Sequence, residues 1–303
     1  MFFSVLCFAF SCTKVHQIRN PTHDSCFFAD HCLFSELVAE SGAAVYINNL
    51  SIDFTMQFCQ LYHCYSAIIS ESLRGGALFL TCRLAYIKNT CGENCYHFGS
   101  QFANMQSGVK GYFNDTAITR CSPVTDTTKR YHTNHFIFID CVRNNITKNG
   151  VRGGNGCGLF YSNVDNNVEI KYCTFAHNQG QEVFRLGYAT VQMNNVNIIS
   201  NLVISGAVEM GSIKHNVVEN CIIIGNTCRV FYVTSGSVTL KYCFYSSVDS
   251  GVTIGTGCIN VASTNTLIMS SIDCHTYADP THQELRLRKN WGFLVLYISF
   301  LMI

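Results

Sequence analysis

The run Val168-Glu169-Ile170-Lys171-Tyr172-Cys173-Thr174-Phe175-Ala176-His177-Asn178 decides the fold, because it returns further along the chain. Its first part recurs as Val191-Gln192-Met193-Asn194 and Val238-Thr239-Leu240-Lys241. Its second part recurs as Val196-Asn197-Ile198-Ile199-Ser200-Asn201 and Cys221-Ile222-Ile223-Ile224-Gly225-Asn226. The first part alternates apolar and polar residues with the period of a strand buried on one face. A third series holds the triplets Leu159-Phe160-Tyr161, Val183-Phe184-Arg185, Val208-Glu209-Met210, Val230-Phe231-Tyr232 and Val252-Thr253-Ile254, spaced 24, 25, 22 and 22 residues apart. Three apolar segments separated by Gly, Asn and Ser in so short a unit leave no room for a helix. Each unit is expected to be one coil of three strands. Stacked at about 4.8 Å, the spacing of neighbouring strands, such coils make an all-β, single-stranded parallel β-helix, a solenoid of roughly ten or eleven coils with about 23 residues each.

Stacking turns repeated positions into columns. Val168, Val191 and Val238 are expected in one buried column, and Cys173, Cys221 and Cys243 in another where the intervening coil supplies Val196. The chain has 26 Asn, concentrated where strands end. Asn tolerates the left-handed backbone conformation and hydrogen-bonds local backbone, so Asn178, Asn201 and Asn226 are expected to stack as an internal turn ladder.

Two short elements carry a family resemblance. Arg74-Gly75-Gly76-Ala77-Leu78 has Gly-Gly-Ala before an aliphatic residue, and Phe175-Ala176-His177-Asn178 has Phe and Asn three apart. Weaker copies are Ser41-Gly42-Ala43-Ala44-Val45 and Ser205-Gly206-Ala207-Val208. The pattern resembles the repeats of polymorphic membrane proteins, surface proteins of intracellular bacteria and parasitic protists. The resemblance implies a right-handed β-helix displayed at the cell surface, often as an adhesin. Bacterial members end in a membrane barrel, which needs many alternating segments of about 10 residues; no such tail is read here.

Composition bounds the function. With 48% hydrophobic and 13% charged residues in 303, the chain has ample surface to bury, so its body is not disordered. A net charge of +1 supplies no field for gathering phosphates, so nucleic acid is not expected as a partner. Residues 25–277 read as the β-helix, with an irregular insertion near 91–135; within it Ser122 to Asn134 is the expected protruding segment.

The ends differ from the body. Residues 1–12 hold the apolar stretch Phe2 to Phe10, which suits either a secretory signal peptide or an apolar first strand. Residues 278–303 are basic, then apolar from Trp291 to Ile303, shorter than the roughly 20 residues of a membrane span. This tail is expected either to touch a membrane through 291–303 or to pack on the last coil.

Eighteen Cys are the compositional outlier. The close pairs Cys26 and Cys32, Cys59 and Cys64, and Cys91 and Cys95 are expected as local disulfides. Zinc is disfavoured because no Cys-x-x-Cys occurs.

No residue is assigned a catalytic, cofactor-binding or metal-ligating role, and no cofactor is implied. β-Helices also carry pectate lyases and polysaccharide hydrolases, which need at least two carboxylates at one sugar or a cation held by carboxylates. The acids here are scattered. Glu209, between Arg185 and Arg229 on successive coils, is read as an outward charge ladder rather than a general acid. Histidines follow no column, and His177 is expected at a turn. Phe160, Phe184 and Phe231, interrupted by Glu209, form a column that is either core or an exposed contact stripe. The expected function is a non-catalytic surface or secreted protein, structural or adhesive, with host or cell-surface glycans or proteins as partners. The alternative is a carbohydrate-active enzyme on the same scaffold, marked by a two-carboxylate cluster on one face.

Secretion is testable through the sequons Asn49-Leu50-Ser51, Asn114-Asp115-Thr116 and Asn145-Ile146-Thr147. Expression through the natural host is expected to glycosylate them and to remove the leader, read by intact mass before and after endoglycosidase. Three unmodified sequons together with an N-terminus at Met1 would count against secretion.

Overall fold

The structure is a computed structural model that describes residues 8–11, 18–19, 26–66, 75–96, 100–105, 110–121, 132–135, 140–149, 160–162, 167–186, 190–210, 215–227, 231–233, 236–246 and 251–260. These residues are all β, and every strand pairing is parallel. The chain is a parallel β-helix. One face is an 11-stranded sheet, a second is a 10-stranded sheet of short strands, and the third is divided between a five-stranded and a four-stranded sheet. The coil 167–186 shows the plan: Asn167–Lys171 on the first face, Thr174–Ala176 on the second and Gln179–Leu186 on the third.

Two corners join these strands, and each needs a left-handed residue. In this coil they are Tyr172 (φ 56°) and His177 (φ 56°). The first corner recurs at His31, Phe58, Asn89, Asp115, Arg143, Asn195, Asn220, Tyr242 and Gly257, the second at Glu36, His63, Asn94, Arg120, Lys148, Ser200 and Gly225. A non-glycine residue in this conformation costs of order 1 kcal/mol or more. What offsets it is that the corner N–H is not lost: Tyr172 donates to Asn194 O at 3.1 Å and His177 to Ile199 O at 3.1 Å, both on the next coil. Inter-coil hydrogen bonding therefore runs through the corners as well as the strands.

Side chains just after each corner point inward. After the first corner stand Cys32, Cys59, Thr90, Thr116, Asn144, Cys173, Val196, Cys221 and Cys243, all buried. After the second stand Cys64, Cys95, Cys121, Asn149, Asn178 and Asn201, also buried, then Asn226. Asn178, Asn201 and Asn226 form the expected ladder, extended upstream by Asn149. Asn178 N–H donates to Asn201 Oδ1 at 2.9 Å, and Asn201 N–H to Asn226 Oδ1 at 3.0 Å. Each Nδ2 donates back to the preceding coil: Asn178 to Ile146 O at 2.9 Å, Asn201 to Phe175 O at 3.0 Å, Asn226 to Ile198 O at 2.9 Å. The left-handed conformation belongs to the residue before each Asn, not to the Asn itself. These amides thus satisfy backbone groups that the corner leaves inside the core.

The expected valine column also forms. Val168 pairs with Val191, and Asn216 pairs with Val238. Asn216 fills the gap between Val191 and Val238 and accepts the Val191 N–H on Oδ1 at 2.9 Å, so a buried amide interrupts an apolar column without being left unpaired.

The motif behind the family resemblance has a mechanical reading. Phe175 is the inward residue of its second-face strand and Asn178 the inward residue after the corner, so both elements of the Phe-x-x-Asn pattern fill core columns. The two Gly-Ala segments stack on one another, with Gly42 N–H donating to Gly75 O and Ala43 N–H to Gly76 O, both at 2.8 Å. They lead into Val45–Asn48 and Leu78–Thr81, which pair in register.

Residues 91–121, read from sequence as part of an insertion, supply Cys91–Glu93, Ser100–Met105, Lys110–Asn114 and Ala117–Thr119, each paired with neighbouring coils. Gly92 occupies the inward second-face position because a Cβ there would stand 2.1 Å from the Phe102 ring. Of Ser122 to Asn134, residues 122–131 lie outside the described residues, as do 1–7 and 261–303. Phe8–Ser11 pair in register with Phe27–Asp30, as a first strand.

The asparagine ladder generates the first structural prediction. Asn201→Ala removes one amide that accepts from Asn178 and donates to Phe175, leaving buried backbone groups without partners. At about 1–3 kcal/mol for each such group, the loss is expected to be several kcal/mol, read by urea denaturation. An unchanged midpoint would show that the ladder does not support the core.

Candidate functional site

Phe231, the one phenylalanine of the expected column whose burial is described, is core. Phe160, Phe184, Val208 and Phe231 stand opposite one another, and Val208 and Phe231 are fully buried. Phe231 is therefore no part of a contact stripe, and Val208 rather than Glu209 interrupts the column. The triplet alignment set Val208 against Val183 and Val230, whereas it pairs with Phe184 and Phe231, one residue further on in each case. Glu209 accordingly stands opposite Arg185 and Tyr232, while Arg229 lies outside the described residues. Val252–Ile254, aligned from sequence with the same triplets, belongs to the first face beside Val238–Leu240.

The expected local disulfides do not form, since Cys32, Cys59, Cys64 and Cys95 are not disulfide-bonded. The reason is geometric: Cys59 and Cys64 follow successive corners of one coil, with the strand Gln60–Tyr62 holding them apart. Cys26 and Cys91 are disulfide-bonded, but not to these partners. The buried thiols instead occupy asparagine positions and imitate them weakly. Cys64 donates to Phe34 O and Cys95 to Leu61 O, both at 3.5 Å, as Asn178 does to Ile146 O. Cys173, Cys221 and Cys243 share the expected column, and Cys173 Sγ lies 3.8 Å from Cys141 Sγ.

The outer surface holds a cluster that the sequence reading missed. Val38, Tyr65 and Tyr96 are in one outward column, and the Tyr65 and Tyr96 rings stack with centroids 4.7 Å apart and planes 7° apart. His63, at a left-handed corner, brings its ring to 5.6 Å from Tyr65 and 6.2 Å from Tyr96. Tyr62, 42% exposed, adds an edge-on contact to His63 at 6.1 Å. Across the same short second-face strand, Phe58 (40% exposed) stacks on His31 at 4.8 Å. Tyr62 pairs with Glu93, which accepts from Arg120. Burial, then the neighbouring Tyr65, raises the Tyr96 hydroxyl pKa, so it remains a neutral donor. The available sequence signal was the repeated Cys-Tyr of Cys64-Tyr65 and Cys95-Tyr96, at a spacing of 31 that the 22 to 25 residue period concealed.

Acids on the outer faces are mostly paired: Asp53 with Arg83 at 2.6 Å, Asp115 with Arg143 at 2.8 Å, Glu169 with Lys171 at 2.7 Å and Glu219 with Lys241 at 3.2 Å. One juxtaposition was not visible from spacing: Asp140 stands opposite Glu169 on the first face. His177 sits exposed at its corner, as expected.

Comparison with protein-family models, with curated proteins and with solved structures returns no match.

The buried thiols give the molecule a pH signature. Hydrogen bonding to Cys32 and burial raise Cys59; hydrogen bonding to Cys95 and burial raise Cys64; burial, then Asp53, raises Cys82 to about 12. A folded pKa above the unfolded value gives stability that is complete below the unfolded pKa and is lost as pH rises through the folded one. Stability is therefore expected to hold up to about pH 8 and then to fall by about 1.4 kcal/mol per pH unit for each such thiol. Cys82→Ala is expected to reduce that slope in urea titrations between about pH 9 and pH 11; an identical slope would remove Cys82 from the account.

Proposed function

We propose that the chain is a non-catalytic β-helical protein of the cell surface or extracellular space, structural or adhesive, built in the style of polymorphic membrane protein repeats. Its partners are cell-surface glycans or proteins, met by the Tyr62, His63, Tyr65 and Tyr96 cluster. That cluster is the observation carrying the reading. Tyr and Arg are the side chains that dominate recognition surfaces, because a rigid ring with a polar rim buries much area while few rotamers are lost. Here the rings are stacked on successive coils, so little further ordering is needed on binding.

A second reading, a polysaccharide lyase or hydrolase, is favoured by Asp140 opposite Glu169.

Both readings are tested with one purified protein. Binding to a glycan panel and to cells is expected for the native chain. Tyr62→Ala and Tyr96→Ala are each expected to weaken it by about 2 kcal/mol, roughly 30-fold. Unchanged binding by both variants with β structure retained would remove the cluster from the reading. Polyuronates and neutral glycans, with and without calcium, form the enzymatic arm. Turnover abolished by Glu169→Gln or Glu209→Gln would replace the adhesive reading with the enzymatic one.

A further inference from the structure

The first-corner column ends in three thiols on successive coils: Cys221, Cys243 and Cys258. Ile259 N–H donates to Cys243 O at 2.8 Å, and Phe244 N–H to Cys221 O at 2.9 Å, so the three corners are held one coil apart. Cys243 thus stands between Cys221 on the coil before and Cys258 on the coil after. Cys221 and Cys243 are buried, while Cys258 is partly exposed. This differs from the columns upstream, where the buried thiols Cys59, Cys64 and Cys95 are packed between coils on both sides.

The last described coil is also the most exposed. Val252–Ile254 and Ile259–Asn260 are the terminal strands of the first and second faces. Thr253, Ile254, Thr256, Gly257, Ile259 and Asn260 are exposed. Gly257 (φ 71°) makes the corner before Cys258, and a Cβ there would lie 2.3 Å from the Tyr242 ring. The corner thus lies against the Tyr242 ring of the coil before.

We propose that Cys258 and Cys243 are a thiol–disulfide exchange pair at the last described coil of this column, acting on low-molecular-weight disulfides. Cys258, the reachable thiol, attacks one sulfur of a disulfide such as oxidised glutathione as its thiolate. The glutathione S–S bond breaks, one glutathione leaves as a thiolate and takes up a proton, and the other is joined to Cys258. Cys243, as its thiolate, then attacks the Cys258 sulfur and releases the second glutathione. Two protein thiols are oxidised to one disulfide, and one glutathione disulfide is reduced to two thiols. The spacing of neighbouring coils, about 4.8 Å, lies inside the Cα range of a disulfide. Cys258 is partly exposed where Cys221 and Cys243 before it are buried, so it is the thiol of these three that a dissolved disulfide can reach. Cys243 is suited to the second step: the Cys221 thiol hydrogen-bonds its sulfur and brings its pKa down to about 7, although burial opposes this, while Cys221 itself is raised and keeps its proton. The product is a staple tying the last described coil to the one before it.

The test uses the folded full-length chain incubated with oxidised glutathione, alkylated with N-ethylmaleimide, digested and mapped by mass spectrometry. A peptide cross-linked through Cys243 and Cys258 is expected, with loss of both thiols to alkylation and no glutathione retained. Cys243→Ser is expected to accumulate glutathione on Cys258. Cys258→Ser is expected to leave Cys243 unmodified until the chain is unfolded. The native chain gives the deciding readout without relying on a variant that folds poorly. Stable glutathione on native Cys258 without the cross-link, or no modification of either thiol in a chain that reacts once unfolded, would overturn the proposal.

Discussion

The structure depends on hydrogen bonds between coils continuing without interruption around two sharp corners. A β-helix could close its cross-section with loops that leave the ladder, but here the corner residues remain in it, as Tyr172 and His177 show by donating to Asn194 and Ile199. Holding the ladder through a bend requires the left-handed conformation, and that conformation turns the following residue into the core. Two inward side chains per coil are thereby placed beside backbone groups that strand pairing does not satisfy. The chemistry of those positions follows from this single constraint.

Asparagine answers it fully, because an amide both accepts the N–H of the coil before and donates to a carbonyl there. Cysteine answers it in part: its thiol donates weakly at the same place, as Cys64 does to Phe34, and otherwise behaves as a small apolar residue. Threonine and valine occupy the same positions at Thr90, Thr116 and Val196. The abundance of cysteine in the described coils is therefore largely a matter of packing. The buried thiols give no information on the redox compartment, since burial protects them in any of them.

Much of this was legible in the sequence where coils are short. The valine, cysteine and asparagine columns between Val168 and Cys243 could be aligned because their first corners are 22 to 25 residues apart from Tyr172 to Tyr242. Upstream the same corners are 26 to 31 residues apart, so a fixed period cannot find them and residues 91–121 look irregular. Local pairing of Cys59 with Cys64 was a natural reading of nearness in sequence, but residues five apart here are at different corners. The Glu209 register failed for another reason: Val183-Phe184 and Val230-Phe231 each offer two adjacent apolar residues, and the triplets were aligned on the valine where the pairing uses the phenylalanine. The aromatic cluster was missed because its stacking partners come from the long coils, where Tyr65 and Tyr96 are 31 residues apart.

The distance from first to second corner is five residues in every coil from His31 and Glu36 to Asn220 and Gly225, however long the coil. All variation in coil length is therefore confined to the remaining path, from the second corner over the third face and back to the first. The second face and its flanking columns act as a fixed gauge, and the rest of the circuit as a slack side. Insertions on that side leave the gauge untouched and need not be matched by neighbouring coils. A scaffold of this kind can change what it presents to its surroundings one coil at a time, which makes the slack side the place to graft a foreign peptide and the gauge side the place to leave alone.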